Sequence, residues 1–550
     1  MSEAKNVCLI DGSHSLARGF EQAGCVVLEL RGSPAPFLSL PEALAGHGFR
    51  PDLVVQEESL GRRCLVTGLD QADCPVLHWC VDPHLNAHWH AAWARLFDLT
   101  CSTQKAWIPR LRERGARDVR WLPWFGHALP WTDFADRTTD VAFVGRVTAQ
   151  RPARRWLVEF LRRRTVGFRL GVHQDVDYRR MLDIYRDARI VPNESIFGEV
   201  NFRLFEGASC GCLVLGQNLG GEQAELFEPG REMDTCAHVA ELDHKLSLYL
   251  RNGRLTAAMG RAAFERVRAE HLAVHRARRI LEYAADAAGN RARGPEAEAW
   301  TALAAAALWE AGMLALPAGD VLARLEGVAP GGDVAESVLR IQAKAGKLRA
   351  LEANVAALLG GELFADHAGL NLAGSMAALR LDHFDGAKAF WYRHCRASGG
   401  RECAPPRDPA GLLTLWARDL QRRDRTVRAG FPFDPGIHLP GSACECLLLL
   451  LHREPEHLPT LRRLDELLRP VAGLEQARVG FLSILTLHER DDWRLALEIG
   501  LADLQSFRLD SGLEELRLAR SLARKAGQEP FFARALAARD PAGLVAGRLS

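Results

Sequence analysis

The run Ile196-Phe-Gly-Glu-Val-Asn201-Phe-Arg203-Leu-Phe-Glu206-Gly-Ala-Ser-Cys-Gly211-Cys-Leu-Val-Leu215 carries the side chains best suited to chemistry. A loop holding Gly198 leads into a helix whose first turns contain Asn201, Arg203 and Glu206. A helix start presents free amide donors and a partial positive charge, which favours an anion by about 0.3 to 1 kcal/mol. Arg203 adds a charge-assisted bond to a phosphate, worth on the order of 1.5 to 3 kcal/mol. Glu206 accepts from two adjacent hydroxyl groups, as on a ribose. The competing reading is a capped amphipathic helix with Glu206 as a surface charge and Arg203 in a salt bridge.

The elements around this run follow an α/β rhythm. Val7–Ile10, Cys25–Leu30, Asp52–Val55 and Pro75–Trp79 are β-rich and alternate with helical stretches up to about Trp124. A second series comprises Asp140–Gly145, Val166–Gly171, Ala188–Pro192 and Cys212–Gly216. Beyond Gly294-Pro295 strand signals fade into Ala-, Leu- and Arg-rich sequence with helical spacing. The expected organisation is a domain at 1–135, a second at 136–290, and an all-helical region at 295–550. Within the last, 367–396 and 480–504 resemble degenerate tetratricopeptide repeats.

Bulk properties narrow the function classes. The 550-residue chain is 48% hydrophobic and 25% charged, with a formal net charge of +1, so no general electrostatic pull toward nucleic acid or an anionic membrane exists. Apolar runs are too short to span a bilayer, and no secretory signal is visible at the start. Thirteen cysteines lie scattered in apolar stretches, the usage of reduced thiols, which points to a cytoplasmic setting.

In its motifs the sequence resembles the CgeB-type, spore-maturation-protein-like glycosyltransferases, enzymes of the GT-B fold with two Rossmann-like domains. Asp140-Val-Ala-Phe-Val-Gly145 matches the strand that opens their second lobe. Asn201 to Glu206 matches their Asn-x-Arg-x-Phe-Glu signature, Glu225 to Glu232 their Glu-Leu-Phe-x-Pro-Gly-x-Glu stretch, and His271 with Arg276 their closing helix. The similarity runs from about Asn6 to Tyr283. It implies a nucleoside diphosphate sugar bound to the second lobe, an acceptor bound mainly to the first, and transfer between them. Glu206 then holds the ribose. One departure stands out, because Gly198 occupies the place where broader relatives carry a first glutamate; Glu194 and Glu199 are the nearby substitutes.

Further candidates follow from that resemblance. Arg146 and Arg151, just past Gly145, are placed to reach donor phosphates. Asn193 falls at the family's strand-end asparagine and binds sugar or base, or else is a turn residue after Pro192. On the acceptor side, Asp11, Gly12 and Ser13 follow the first strand, where open α/β sheets bind ligands, or they form a tight capped turn. Asp82 and His14 are the best bases for the acceptor hydroxyl, with Asp82 alternatively a helix cap. His84, His88 and His90, with Cys80 and Asp82, invite a metal reading, but the resemblance implies that helix dipoles and basic side chains balance the diphosphate, so no metal is expected. The helical region suggests a polypeptide acceptor. A catalytically silent binding module with a helical scaffold is the rival, and an epimerase on the same fold is a third reading.

Overall fold

Strands form where β-branched and aromatic residues run together, and helices where apolar residues recur at helical spacing. In this computed structural model, residues 4–31, 35–59, 63–148, 151–164, 167–287, 289–399 and 403–549 are described. The strands are β1 (Asn6–Ile10), β2 (Val26–Leu30), β3 (Phe37–Ser39), β4 (Leu53–Glu57), β5 (Leu65–Thr67), β6 (Val76–Cys80), β7 (Leu99–Ser102) and β8 (Val119–Trp121). A second set follows as β9 (Thr139–Val144), β10 (Leu170–His173), β11 (Ala188–Asn193), β12 (Leu213–Gln217) and β13 (Asp234–Cys236).

One sheet has the order β2-β1-β4-β6-β7-β8, another β10-β9-β11-β12-β13, and β3 pairs with β5 alone. All pairings are parallel, as connections through helices require. From about Pro295 onward the described residues are helical apart from connecting loops. The chain is thus mixed α/β with parallel sheets in its first half and all-helical afterwards. Among the described residues no helix is long and apolar enough to cross a membrane.

The chain divides into two units. The first comprises Met1–Pro123 and Arg276–Pro455; the second comprises Trp124–His275 and Glu456–Ser550. The helices beyond Gly294 are therefore shared out between the two sheets. In the first unit, Ala304, Ala305 and Leu308 of helix Pro295–Glu310 join the core built from Cys8, Ile10 and Val54 of the sheet with Trp89 and Trp93 of helix Pro83–Trp93. A buried ion pair between Arg291 and Asp98 fastens the start of this helical part. In the second unit, Val141, Phe143, Leu213 and Leu215 share one core with Trp493, Leu497, Leu504 and Leu516.

The two segments read as repeat-like do form helix pairs, Ala368–Arg380 with Phe384–Ala397 and Glu475–His488 with Trp493–Gln505. Cys395 and Cys403 are joined in a disulfide with Cα atoms 5.8 Å apart, whereas the sequence reading takes every cysteine as reduced. The two cysteines are eight residues apart in sequence, with Cys395 in the last turn of helix Phe384–Ala397. The other eleven stand outside any disulfide.

Candidate functional site

Strand order locates the sites. In the second unit the chain passes from β9 to β10 on one side and then crosses to β11 on the other, so the crevice past the carboxyl ends of β9 and β11 is a topological switch point, where open α/β sheets bind ligands. Gly145 follows β9 there, and Asn193 ends β11.

Gly145 has φ +156°, and a Cβ on it would lie 3.1 Å from Arg203 Nη2 and 3.5 Å from Arg154 Nη1. Its lack of a side chain therefore leaves the backbone close over two guanidinium groups. Both lie near the ring of Phe143, at 4.8 Å for Arg203 and 5.9 Å for Arg154. Arg154 donates Nε to Glu194 Oε2 at 2.9 Å, with Nη2 at 2.8 Å from the same carboxylate, so its charge is matched. Arg203 instead donates to Asn193 Oδ1 and to the Val144 carbonyl, each at 3.2 Å, and interacts with the Tyr185 hydroxyl, while its buried Nε has no hydrogen-bond partner among the described residues. The salt bridge considered for Arg203 is thus made by Arg154, a residue the sequence reading did not single out. Although burial opposes it, the nearby Tyr185, Glu194 and Glu206 hold the Arg203 pKa above its usual value.

Arg203 and Glu206 lie on helix Phe202–Ser209, each 8% exposed, so Glu206 is no surface charge. Burial pushes the Glu206 carboxyl up to about 7, against the pull of Arg203 and a hydrogen bond from Tyr178. The Tyr178 hydroxyl also bonds His127 Nε2, and the His127 amide donates to Ser209 Oγ on the same helix at 2.8 Å. Asn201 precedes the helix in extended conformation without a side-chain cap. Its Nδ2 donates to the Glu194 carbonyl at 2.9 Å, and its buried Oδ1 has no partner.

The loop between β11 and this helix is held by Glu199, whose carboxylate accepts from Ser195 Oγ at 2.7 Å and from the amides of Ile196 and Phe197 at 3.0 and 2.8 Å. Glu199 is consumed in shaping the loop, and Glu194 in pairing Arg154, which leaves neither as an obvious stand-in for a sugar-binding glutamate. Gly198 has φ +77°, a conformation that a glutamate adopts only with strain, and its Cβ position lies 3.3 Å from Ala472 Cβ. Next to Ala472, a Cβ on Gly473 would meet the Ile196 carbonyl at 1.7 Å, so this turn of the late helical part sits directly on the loop.

Arg146 is largely exposed and pairs with Asp175 at 3.0 Å. Arg151 is half-buried and precedes helix Pro152–Arg163 without a side-chain cap. The guanidinium groups against Gly145 are therefore those of Arg154 and Arg203. His271 is buried against Phe205 and Phe227 and lies 3.0 Å from the Leu226 carbonyl, while Glu232 accepts from the Glu228 amide at 2.8 Å. These motif residues brace the fold around the helix.

The first sheet has its own switch point between β1 and β4. Asp11 sits at φ +54° directly after β1. Gly12 is not open to a ligand, because the Leu9 side chain occupies its Cβ position, and its carbonyl accepts from Arg31 Nη1 at 2.6 Å. Ser13 caps helix His14–Gln22 through Oγ, and its amide donates to Glu57 Oε2 at 2.9 Å. Burial and nearby Asp11 push the Glu57 carboxyl up to about 7, against the pull of Ser13 and Arg31. Glu57 ends β4 at the switch point and was missed in the sequence, where it reads as an ordinary strand-end acid. His14 is mostly exposed, 3.6 Å from Glu29.

Asp82 precedes helix Pro83–Trp93 but does not cap it with its side chain. Its amide and that of Val81 donate to Glu58 Oε2 at 3.0 and 2.8 Å, and Asn86 Nδ2 donates to Oε1 at 2.6 Å. Of the residues grouped in the sequence, Cys80 and His90 come together and are joined by His78, whereas His88 packs edge-on to Phe431.

Comparison with known proteins adds one family match: residues 138–282 fit a family model described as glycosyl transferase-like. No curated protein matches the chain. Among solved structures, Anabaena Alr3699/HepE in complex with UDP-glucose is 14% identical, with a TM-score of 0.37, covering 51% of this chain and 100% of that one. Sucrose-phosphate synthase from Thermosynechococcus elongatus is 12% identical, with a TM-score of 0.39, covering 51% and 98%. The segment matched by the family model contains Gly145, Arg154, Asn193, Arg203 and Glu206, the whole constellation at the switch point of the second sheet.

Proposed function

We propose that this chain is a nucleotide-sugar-dependent glycosyltransferase of the GT-B type, with the donor on the second unit and the acceptor on the first. The observation that carries the reading is Arg203: a buried guanidinium with no carboxylate of its own, beneath a glycine at a switch point, one turn from the buried carboxylate of Glu206.

In this reaction the bond from the anomeric carbon to the diphosphate breaks, a bond to the acceptor oxygen forms, and the acceptor proton passes to a base. Arg203 and the backbone amides near Gly145 and Asn201 stabilise the leaving diphosphate, the place where negative charge grows. Glu206 accepts from the ribose hydroxyls, and Asn201 offers its unpartnered Oδ1. Asn193 orients Arg203. Arg146 and Arg151 act as outer phosphate contacts, since an exposed pair such as Arg146 with Asp175 is worth only about 0 to 1 kcal/mol and releases readily. No metal is assigned to the diphosphate. On the first unit, Glu57 joins Asp82 and His14 as a candidate base, beside the Asp11–Ser13 turn. The helices after Gly294 are assigned a polypeptide acceptor, and the setting proposed is cytoplasmic.

The test is calorimetry with a panel of nucleoside diphosphates and their sugars, in chelator, followed by assay of slow donor hydrolysis. Binding of one nucleotide class that Arg203→Ala weakens supports the proposal; no binding and no hydrolysis with any donor overturns it. Binding without hydrolysis or transfer assigns the chain to the silent binding modules instead.

A further inference from the structure

Apart from the switch points, the first unit contains a group of metal-binding side chains that no proposed step uses. His78 and Cys80 lie two residues apart on β6 and so project from the same face of the strand. His90, on helix Pro83–Trp93, comes down onto that face, and the two imidazole rings meet edge to face at 5.5 Å. One ligand atom from each of the three residues lies within 4.8 Å of the others. Cys80 Sγ is already 3.4 Å from His78 Nδ1. All three side chains are buried, His90 and Cys80 completely.

His90 is the telling residue. Its Nε2 faces the Glu58 carboxylate at 3.2 Å and interacts with it, while its Nδ1 makes no hydrogen bond among the described residues. That oxygen is taken by the amides of Val81 and Asp82, while Oε1 receives Asn86 Nδ2 and faces Arg63 at 3.2 Å. A buried ring nitrogen left without a partner, as Nδ1 is, costs on the order of 1 to 3 kcal/mol, which a bound ion would remove. Phe97 stacks on His78 at 5.0 Å and Trp89 meets His90 at 4.3 Å, so the aromatic rings fix both imidazoles in place.

We infer that His78, Cys80 and His90 form a binding site for a thiophilic divalent metal ion of the zinc class. Two imidazoles and one thiolate are the donor set of such ions, with metal to nitrogen and sulfur distances of about 2.0 and 2.3 Å. Ligand atoms at those distances from a tetrahedral ion stand roughly 3.3 to 3.6 Å apart, and Cys80 Sγ with His78 Nδ1 already has that separation. The Cys80 thiol transfers its proton to solvent as the sulfur to metal bond forms, and Glu58 beside His90 offsets the added positive charge. The ion ties β6 to helix Pro83–Trp93 directly behind the Val81-Asp82 turn. It is separate from the donor site, whose diphosphate is assigned no metal.

The test uses the full-length chain, purified without a metal-binding tag and stripped with a mild chelator. Zinc content is measured before stripping, and cobalt(II) is then titrated in. The expected results are about one zinc per chain and a thiolate-to-cobalt charge-transfer band saturating at one equivalent. Cys80→Ser abolishes that band, and His90→Gln lowers the stoichiometry, with far-ultraviolet circular dichroism confirming the fold of each variant. Absence of both zinc and the cobalt band in the unsubstituted chain overturns the site and leaves a hydrogen-bonded Cys80 with His78. A band that persists in Cys80→Ser also overturns it, by placing the metal on another cysteine. If the variants fail to fold, the zinc content and cobalt spectrum of the unsubstituted chain decide the question.

Discussion

Arg154 grips Glu194 through Nε and Nη2 at 2.9 and 2.8 Å, whereas Arg203, against the same Phe143 ring, bonds only neutral acceptors. The two guanidinium groups therefore have separable roles. Arg203→Ala is expected to weaken nucleotide binding by roughly 10- to 150-fold, corresponding to about 1.5 to 3 kcal/mol for a charged hydrogen bond. Arg154→Ala leaves Glu194 buried and unpaired, and is expected to cost about 3 to 5 kcal/mol of stability. Calorimetric titration on the first and denaturant unfolding of the second check the division; equal effects on stability would refute it.

If Glu206 holds the donor ribose as proposed, donor binding is expected to be pH-dependent. Its folded pKa of about 7 lies above the ordinary carboxylate value, so the ionised form that accepts ribose hydroxyls is lost as pH falls through 7. Nucleotide affinity should therefore drop between pH 8 and pH 6. The sign for stability is opposite, because a raised carboxyl pKa means the folded state holds its proton more tightly and loses stability as pH rises from about 4.5 to 7. Glu206→Gln should bind nucleotide weakly at every pH and unfold at higher denaturant than the unsubstituted chain at pH 8, by up to about 3 kcal/mol. Unfolding curves at pH 5 and pH 8 for both proteins provide the check.

Gly145→Val should remove nucleotide binding with little change in overall fold. A side chain at that position reaches Arg203 Nη2 and closes the space above it. A variant that binds donor normally would show that the nucleotide lies elsewhere.

Glu57→Gln tests the acceptor side. If Glu57 takes the acceptor proton, transfer falls by roughly 100-fold or more while nucleotide binding to the second unit is unchanged. Loss of the Ser13 contact alone would instead lower stability and leave the rate per folded molecule intact.

Much of this architecture is legible in local sequence. The apolar runs at Val7–Ile10, Asp140–Gly145 and Cys212–Gly216 mark parallel strands because both faces of those strands are buried. The Asn201 to Glu206 signature sits at a helix start, as its Gly-rich approach and strand-feeding exit suggest. Residues whose roles depend on distant partners are not legible in this way. Arg154 lies among Arg151, Arg155 and the later basic residues of its helix, and only packing against Phe143 turns it inward. Arg137 looks like a linker charge, yet it is buried between the carbonyls of Ala188 and Cys210. Glu57 gains significance only when β4 is laid beside β1, a pairing across more than forty residues. Of the group His84, His88, His90, Cys80 and Asp82, the structure brings Cys80 and His90 together, and His78, two residues before Cys80 on the strand, stands in for the helix's other histidines.

The contact of Gly473 with Ile196, and the core that Trp493 and Leu516 share with Phe143, bear on how this protein can be dissected. A fragment ending near residue 290 would expose the apolar face that these helices cover and should come out of expression insoluble. The compact piece that carries the proposed donor site is discontinuous: 124–275 with 456–550. In that sense residues 456–550 form the back wall of the second sheet's scaffold, and the intervening 276–455 is an excursion that the chain makes to complete the other half.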